Sequence, residues 1–175
     1  MKKRIVIIPA YEPGEKLIEL LKEIDRKKFD IVVIDDGSGN DYDTVFVSAN
    51  KYAKVLRYDK NCGKGYALKF GFRYVLDHYS GDYLIITMDS DGQHRIEDAE
   101  KLCLYCKDNP NSLVLGMRKR NINVPIRSRL GNSITKFIFG FVTGVNVYDT
   151  QTGFRVFSNQ LLTFLLSIDG DRFEY

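Results

Sequence analysis

Tyr83-Leu84-Ile85-Ile86-Thr87-Met88-Asp89-Ser90-Asp91-Gly92-Gln93-His94 sets an apolar run directly against a pair of carboxylates. The β-branched and apolar residues at its start predict a buried strand. The strand gives way abruptly to Asp-x-Asp-Gly-Gln. Two carboxylates one residue apart at a strand's end lie in a loop, where both can turn toward one cation. Asp and Gln oxygens are hard ligands suited to Mg²⁺ or Mn²⁺. A cation held by few protein ligands keeps positions open for substrate phosphates. The same residues also suit a plain Asp-Gly turn that caps the next helix. The surrounding chain decides between the two.

Outward from this stretch, strands and helices alternate. Residues 4–8 and 31–34 read as buried strands, and residues 55–58 as a short one. Pro9-Ala10-Tyr11-Glu12-Pro13-Gly14 reads as a turn, and residues 15–24 have helical spacing through Leu17, Leu20, Leu21 and Ile24. A second helix is expected over residues 41–52. Asn61-Cys62-Gly63-Lys64-Gly65 opens a third, and residues 96–107 form a fourth that Asn109-Pro110 terminates. Residues 113–117 follow as a fifth strand, and a strand near Phe154 to Phe157 precedes a helix over 159–166. This order implies an α/β fold, a mostly parallel central sheet flanked by helices. Ligands of such sheets bind beyond the carboxyl ends of the strands. The Pro9-Ala10-Tyr11 turn, Asp35-Asp36, Asp89-Asp91 and Arg118 all occupy such ends.

With 175 residues the chain is long enough for one domain with a real core. It is 44% hydrophobic and 28% charged, an ordinary globular balance. A net charge of +3 gives no case for nucleic acid. Cys62, Cys103 and Cys106 form no disulfide framework, which fits a reducing, cytoplasmic setting. The apolar run Ile5-Val6-Ile7-Ile8 is too short for a signal peptide, and no segment reaches membrane-span length. Lys119, Arg120, Arg127 and Arg129 make a basic loop before an aromatic-rich helix at residues 134–142. That helix reads either as core or as an interfacial helix beside a basic patch. Ser167 to Tyr175 carries no helix stop signal, so a domain truncated at its C-terminus is expected.

Two Asp clusters, a Gly-Lys-Gly helix start and arginines beyond the fifth strand suit a nucleoside diphosphate with its metal. The motifs Ile8-Pro9-Ala10-Tyr11, Val33-Ile34-Asp35-Asp36-Gly37-Ser38, Asn61-x-Gly63-Lys64-Gly65, Met88-Asp89-Ser90-Asp91-Gly92-Gln93 and Asp149-Thr150-Gln151-Thr152-Gly153-Phe154-Arg155 occur in that order. In this the whole chain resembles the family-2 glycosyltransferases of GT-A fold, a Rossmann-like architecture. It is most similar to the polyprenyl-phosphate sugar transferases, the dolichol-phosphate mannose and glucose synthase-like enzymes.

The resemblance implies a single catalytic domain, 1–175, moving a hexose from a GDP-mannose- or UDP-glucose-class donor to a polyprenyl phosphate with inversion. Pro9, Ala10, Tyr11, Asp35 and Asp36 would hold base and ribose, with Lys64 and Ser90 also toward the donor. Asp89, Asp91 and Gln93 would bind Mg²⁺ or Mn²⁺ and the diphosphate. Arg118 would contact donor phosphates, and Arg127 and Arg129 the acceptor phosphate. Asp89, Asp91 and Arg118 are the expected catalytic residues. Work at the cytoplasmic face of a membrane, through peripheral contact, follows from a lipid acceptor. A saccharide or cell-wall acceptor, or a catalytically incomplete fragment that binds nucleotide sugar, are the alternatives.

Overall fold

The computed structural model describes residues 2–116 and 152–170. The Arg118, Arg127 and Arg129 assignments and the aromatic helix at 134–142 lie outside the described residues. So do residues 149–151 and 171–175.

The apolar runs at 5–8, 31–34 and 83–87 become strands buried throughout, while residues 54–58 form a partly exposed edge strand. In chain order the elements are β1 (Lys3–Ala10), α1 (Lys16–Arg26), β2 (Asp30–Asp36) and α2 (Asp43–Ala49). Then come β3 (Lys54–Tyr58), α3 (Lys64–His78), β4 (Tyr83–Thr87) and α4 (Ile96–Asp108). β5 (Val114–Leu115), β6 (Arg155–Ser158) and α5 (Leu162–Ser167) complete the description. One sheet of six strands runs β3-β2-β1-β4-β6-β5. The pairs β1–β2, β2–β3 and β1–β4 are parallel. β6 runs antiparallel to both β4 and β5, so the sheet is mixed at one side.

Strand alternation splits the core in two. Val6, Ile8, Val33, Leu84 and Ile86 face α1, α2 and α4, packing with Leu17, Phe46 and Cys103. Ile5, Ile7, Val32, Ile34 and Ile85 face the other way, against Leu68, Phe72 and Val75 of α3 and Leu162 of α5. Burial on both faces is why these strands read as continuous apolar runs. Helix α3 comes very close to the sheet at Gly71. A Cβ there would lie 2.8 Å from Ile34 Cδ1 and 2.9 Å from Ile7 Cγ2.

Besides the fifth strand, expected over 113–117 and seen at Val114–Leu115, three boundaries differ from the sequence expectation. The helix expected over 41–52 is a 3₁₀ turn at Asn40–Tyr42 followed by α2, which stops at Ala49. There the Ala49 carbonyl accepts the N–H groups of both Tyr52 and Ala53, turning the chain toward β3. The helix expected from residue 159 likewise opens as a 3₁₀ turn, with Ser158 Oγ accepting from Gln160 N at 3.3 Å. The third difference matters most. Pro9 and Ala10 belong to β1, paired with Ile34 and Asp35, and not to a turn.

Candidate active site

A proline inside a central strand needs a reason, because it cannot donate to the ladder. On the β4 side of β1 the last rung in register is Ile7 with Thr87, and the Ile7 carbonyl then accepts Met88 N–H at 3.1 Å. Backbone groups alternate sides along a strand, so the Pro9 nitrogen faces β4 beyond that rung. No donor is wanted there. Pro9 marks the point where β1 and β4 part.

That parting is set by topology. From β1 the chain builds outward through β2 and β3, then returns to place β4 on the other flank of β1. Loops leaving β1 and β4 therefore diverge, and a crevice opens at this switch point. The cleft is about 280 Å³. Pro9, Ala10 and Tyr11 line it from β1, Asp36 from β2 and Lys64 from the start of α3. Asp89, Ser90 and Asp91 line it from the loop after β4. Tyr11, half-exposed, stands at the rim.

Neighbouring in β2, Asp35 and Asp36 point to opposite faces and do different things. The Asp36 carboxylate is buried and accepts hydrogen bonds from Tyr58 O–H at 2.7 Å, Cys62 N–H at 2.8 Å and Gly63 N–H at 3.0 Å. It thereby fixes the turn that delivers Lys64. Burial, and then the hydrogen bond to Asp36, push the Tyr58 phenol far above its usual range. Asp35 instead accepts from Arg57 Nε at 2.7 Å and from Ser38 N at 2.9 Å. Arg57 also reaches Asp43 at 2.7 Å, so Asp35 fastens β2 to β3 and α2 and is not among the cleft-lining residues. Ser38 Oγ in turn accepts Glu12 N–H at 2.9 Å, joining the loop after β1 to the loop after β2.

Asp89 is the centre of the cleft's charge. One oxygen, Oδ1, is ion-paired with Lys64 Nζ, and Oδ2 lies 3.4 Å from His94 Nε2. Burial disfavours its ionised form, but the hydrogen bonds from His94 and Lys64 outweigh that and hold the carboxyl well below the usual range. The buried His94 ring stacks on Phe154, centroids 4.8 Å apart. Gly153 closes this side: its carbonyl accepts Thr87 Oγ1–H at 2.7 Å. A Cβ at Gly153 would collide with both Asp89 oxygens and come within 2.6 Å of Lys64 Nζ.

The glycosyl transferase family 2 model matches residues 5–167, nearly all of the chain. The chain belongs to this family. Among family-2 relatives, a UDP-N-acetylglucosamine–dolichyl-phosphate N-acetylglucosaminyltransferase from Methanococcus voltae is 26% identical over 91% of this chain and 71% of its own length. A dolichyl-phosphate beta-glucosyltransferase from Saccharomyces cerevisiae is 27% identical over 87% of this chain and 54% of its own. The crystal structure of S. aureus TarS 1-349 shares the fold at 19% identity, with a TM-score of 0.60 over 93% of this chain and 48% of that one.

For this family-2 glycosyltransferase, the cleft gathers Pro9, Ala10, Tyr11, Asp36, Lys64, Asp89, Ser90 and Asp91 as the sequence expected. Gln93 is exposed beside it, its N–H donating to Asp91 Oδ1 at 2.9 Å. His94, Phe154 and Gly153 are the site residues that sequence reading missed as participants. His94 follows the Asp-x-Asp run directly, yet its stacking partner is some sixty residues on, a distance across which spacing says nothing. Asp89 and Asp91 both line the cleft and carry oxygen ligands of the kind Mg²⁺ or Mn²⁺ takes, with both Asp89 oxygens held by Lys64 and His94. Among the described residues no cluster of three or more His, Cys, Asp or Glu could cage a metal by itself. Substrate oxygens would have to complete such a shell.

Proposed function

We propose that this glycosyltransferase moves a hexose from a nucleoside diphosphate sugar, of the GDP-mannose or UDP-glucose class, to a polyprenyl phosphate, inverting the anomeric carbon. The observation that carries this reading is the meeting of Asp89, Asp91 and Lys64 with Asp36 and the Tyr11 rim in one switch-point cleft. Asp36 and the end of β1 supply a polar edge and an aromatic face for ribose and base. At the other side Asp89 and Asp91 would hold Mg²⁺ or Mn²⁺. When bound, the cation stabilises the negative charge that grows on the departing diphosphate.

Two relatives are named for dolichyl phosphate acceptors and for two different sugars, N-acetylglucosamine and glucose. The acceptor class is thus better supported than the sugar. A phosphate acceptor also suits the site chemically. Its second pKa is about 6, so at neutral pH it is already mostly ionised and needs little help from a general base. A single attack of that oxygen on the anomeric carbon, opposite the leaving diphosphate, inverts it. Arg118 is assigned to the donor phosphates and Arg127 and Arg129 to the acceptor phosphate, where bidentate guanidinium contacts are strong. The basic loop and the aromatic-rich segment at 134–142 supply peripheral contact with the cytoplasmic face of a membrane. Among the described residues no helix is long and apolar enough to cross one.

The test is transfer of label from a panel of UDP- and GDP-sugars, with Mn²⁺, into detergent-dispersed polyprenyl phosphate or into soluble oligosaccharide. Label in the organic phase supports the proposal. Label in the oligosaccharide alone gives the saccharide acceptor instead.

A further inference from the structure

Asp89 is held by two nitrogen groups of very unequal freedom. The His94 side chain is 5% exposed and lies flat on the buried Phe154 ring. The Lys64 side chain is 40% exposed, at the first residue of α3. Gly153 lies against both Asp89 oxygens, with its own carbonyl held by Thr87. The carboxylate has no room to turn away on that side. If a cation is to reach Asp89, one of the two nitrogens must leave. Moving His94 would open a hole against Phe154, whereas moving Lys64 only swings a flexible four-carbon stem toward solvent.

We infer that Lys64 is an exchangeable counter-ion for Asp89. In the cleft without metal its ammonium occupies Oδ1. It yields that oxygen when a divalent cation binds and turns to the donor diphosphate, which shares the cleft. His94 stays on Oδ2 throughout and keeps the carboxylate aimed. This rests on the reading of the cleft as a metal–diphosphate site. It has a consequence of unusual form: Lys64 opposes metal binding when no nucleotide is present and assists it when nucleotide is there. A residue with only a structural role would weaken both.

The experiment is Mn²⁺ binding to the whole chain, followed by electron paramagnetic resonance, with Mn²⁺ alone and with UDP or GDP added. Lys64→Met is expected to bind Mn²⁺ alone roughly fivefold more tightly than the unaltered protein, the scale of a partly exposed ion pair removed. With nucleotide present the same variant should bind roughly tenfold more weakly, a charge-assisted contact having been lost. Lys64→Arg, which keeps the charge, should retain the weak binding of Mn²⁺ alone. It provides the second reading should the methionine variant fail to fold. His94→Ala should weaken Mn²⁺ binding by about tenfold or more in both conditions. Lys64→Met binding Mn²⁺ alone no more tightly, while the unaltered protein binds Mn²⁺ with nucleotide, would overturn the exchange. An unaltered protein that binds no Mn²⁺–nucleotide would instead overturn the reading of the cleft beneath it.

Discussion

Asp36 is buried, and its carboxylate accepts from one phenol and two backbone N–H groups of the turn before α3. Removing it would strand all three donors, and buried donors without partners are costly. Asp36→Ala is expected to lower unfolding stability by about 2–4 kcal/mol in urea titration. A loss below about 0.5 kcal/mol would mean that the turn holds itself. Gly153 makes the opposite kind of case, since its contribution is the absence of an atom. Gly153→Ala puts a methyl group into the Asp89 carboxylate and against Lys64. Overpacking of this kind typically costs about 1–3 kcal/mol and is relieved here by displacing the carboxylate. The variant should therefore stay folded by circular dichroism while sugar transfer falls at least about tenfold. Unchanged transfer would show that the geometry around Asp89 is slack.

At the scale of elements, the apolar runs of β1, β2 and β4 and the Asp-x-Asp loop could be read directly, because burial on both faces writes itself as uninterrupted hydrophobicity. Four other features could not. Pro9 looked like a turn residue, and only the divergence of β1 from β4 makes it acceptable in a strand. Asp35 and Asp36 looked like one acidic pair, but strand alternation sends them to opposite faces. The pairing of β6 against β4 in the antiparallel sense is a long-range choice with no local signature. His94 finds its purpose only when Phe154 arrives from the far side of the chain. Helix α3, which begins at Lys64, carries its own test at Gly71. Gly71→Val would press methyl groups into Ile34 and Ile7, and a stability loss of about 2 kcal/mol or more is expected by thermal or urea unfolding. A neutral result would show that α3 rides further from the sheet, which would also move Lys64 away from Asp89.

For the whole molecule, the buried Cys103 thiol and the partly buried Tyr79 phenol predict how stability responds to base. Burial pushes the Cys103 thiol up to about 12, and burial with the nearby Asp30 charge does the same for the Tyr79 phenol. Both groups bind their protons more tightly folded than unfolded. Their stabilisation is complete below the unfolded values, about 8.5 for a thiol and 10 for a phenol, and is lost as pH rises from there toward 12. The urea midpoint should hold level up to about pH 8 and fall by pH 10.5, with Cys103→Ala flattening the first part of the fall. A midpoint that rises over this range would contradict the burial of these groups.

The same architecture opens a cleft where β1 and β4 separate, lined by Asp36, Lys64, Asp89 and Asp91. That this cleft is the nucleotide-sugar site is the central claim, and calorimetric titration with UDP- and GDP-sugars in the presence of Mn²⁺ tests it most directly. At least one donor should bind the unaltered protein, and Asp89→Asn of equal thermal stability should lose that binding by about tenfold or more. Binding that survives Asp89→Asn undiminished, or a folded protein that takes up no nucleotide sugar from either series, would contradict it.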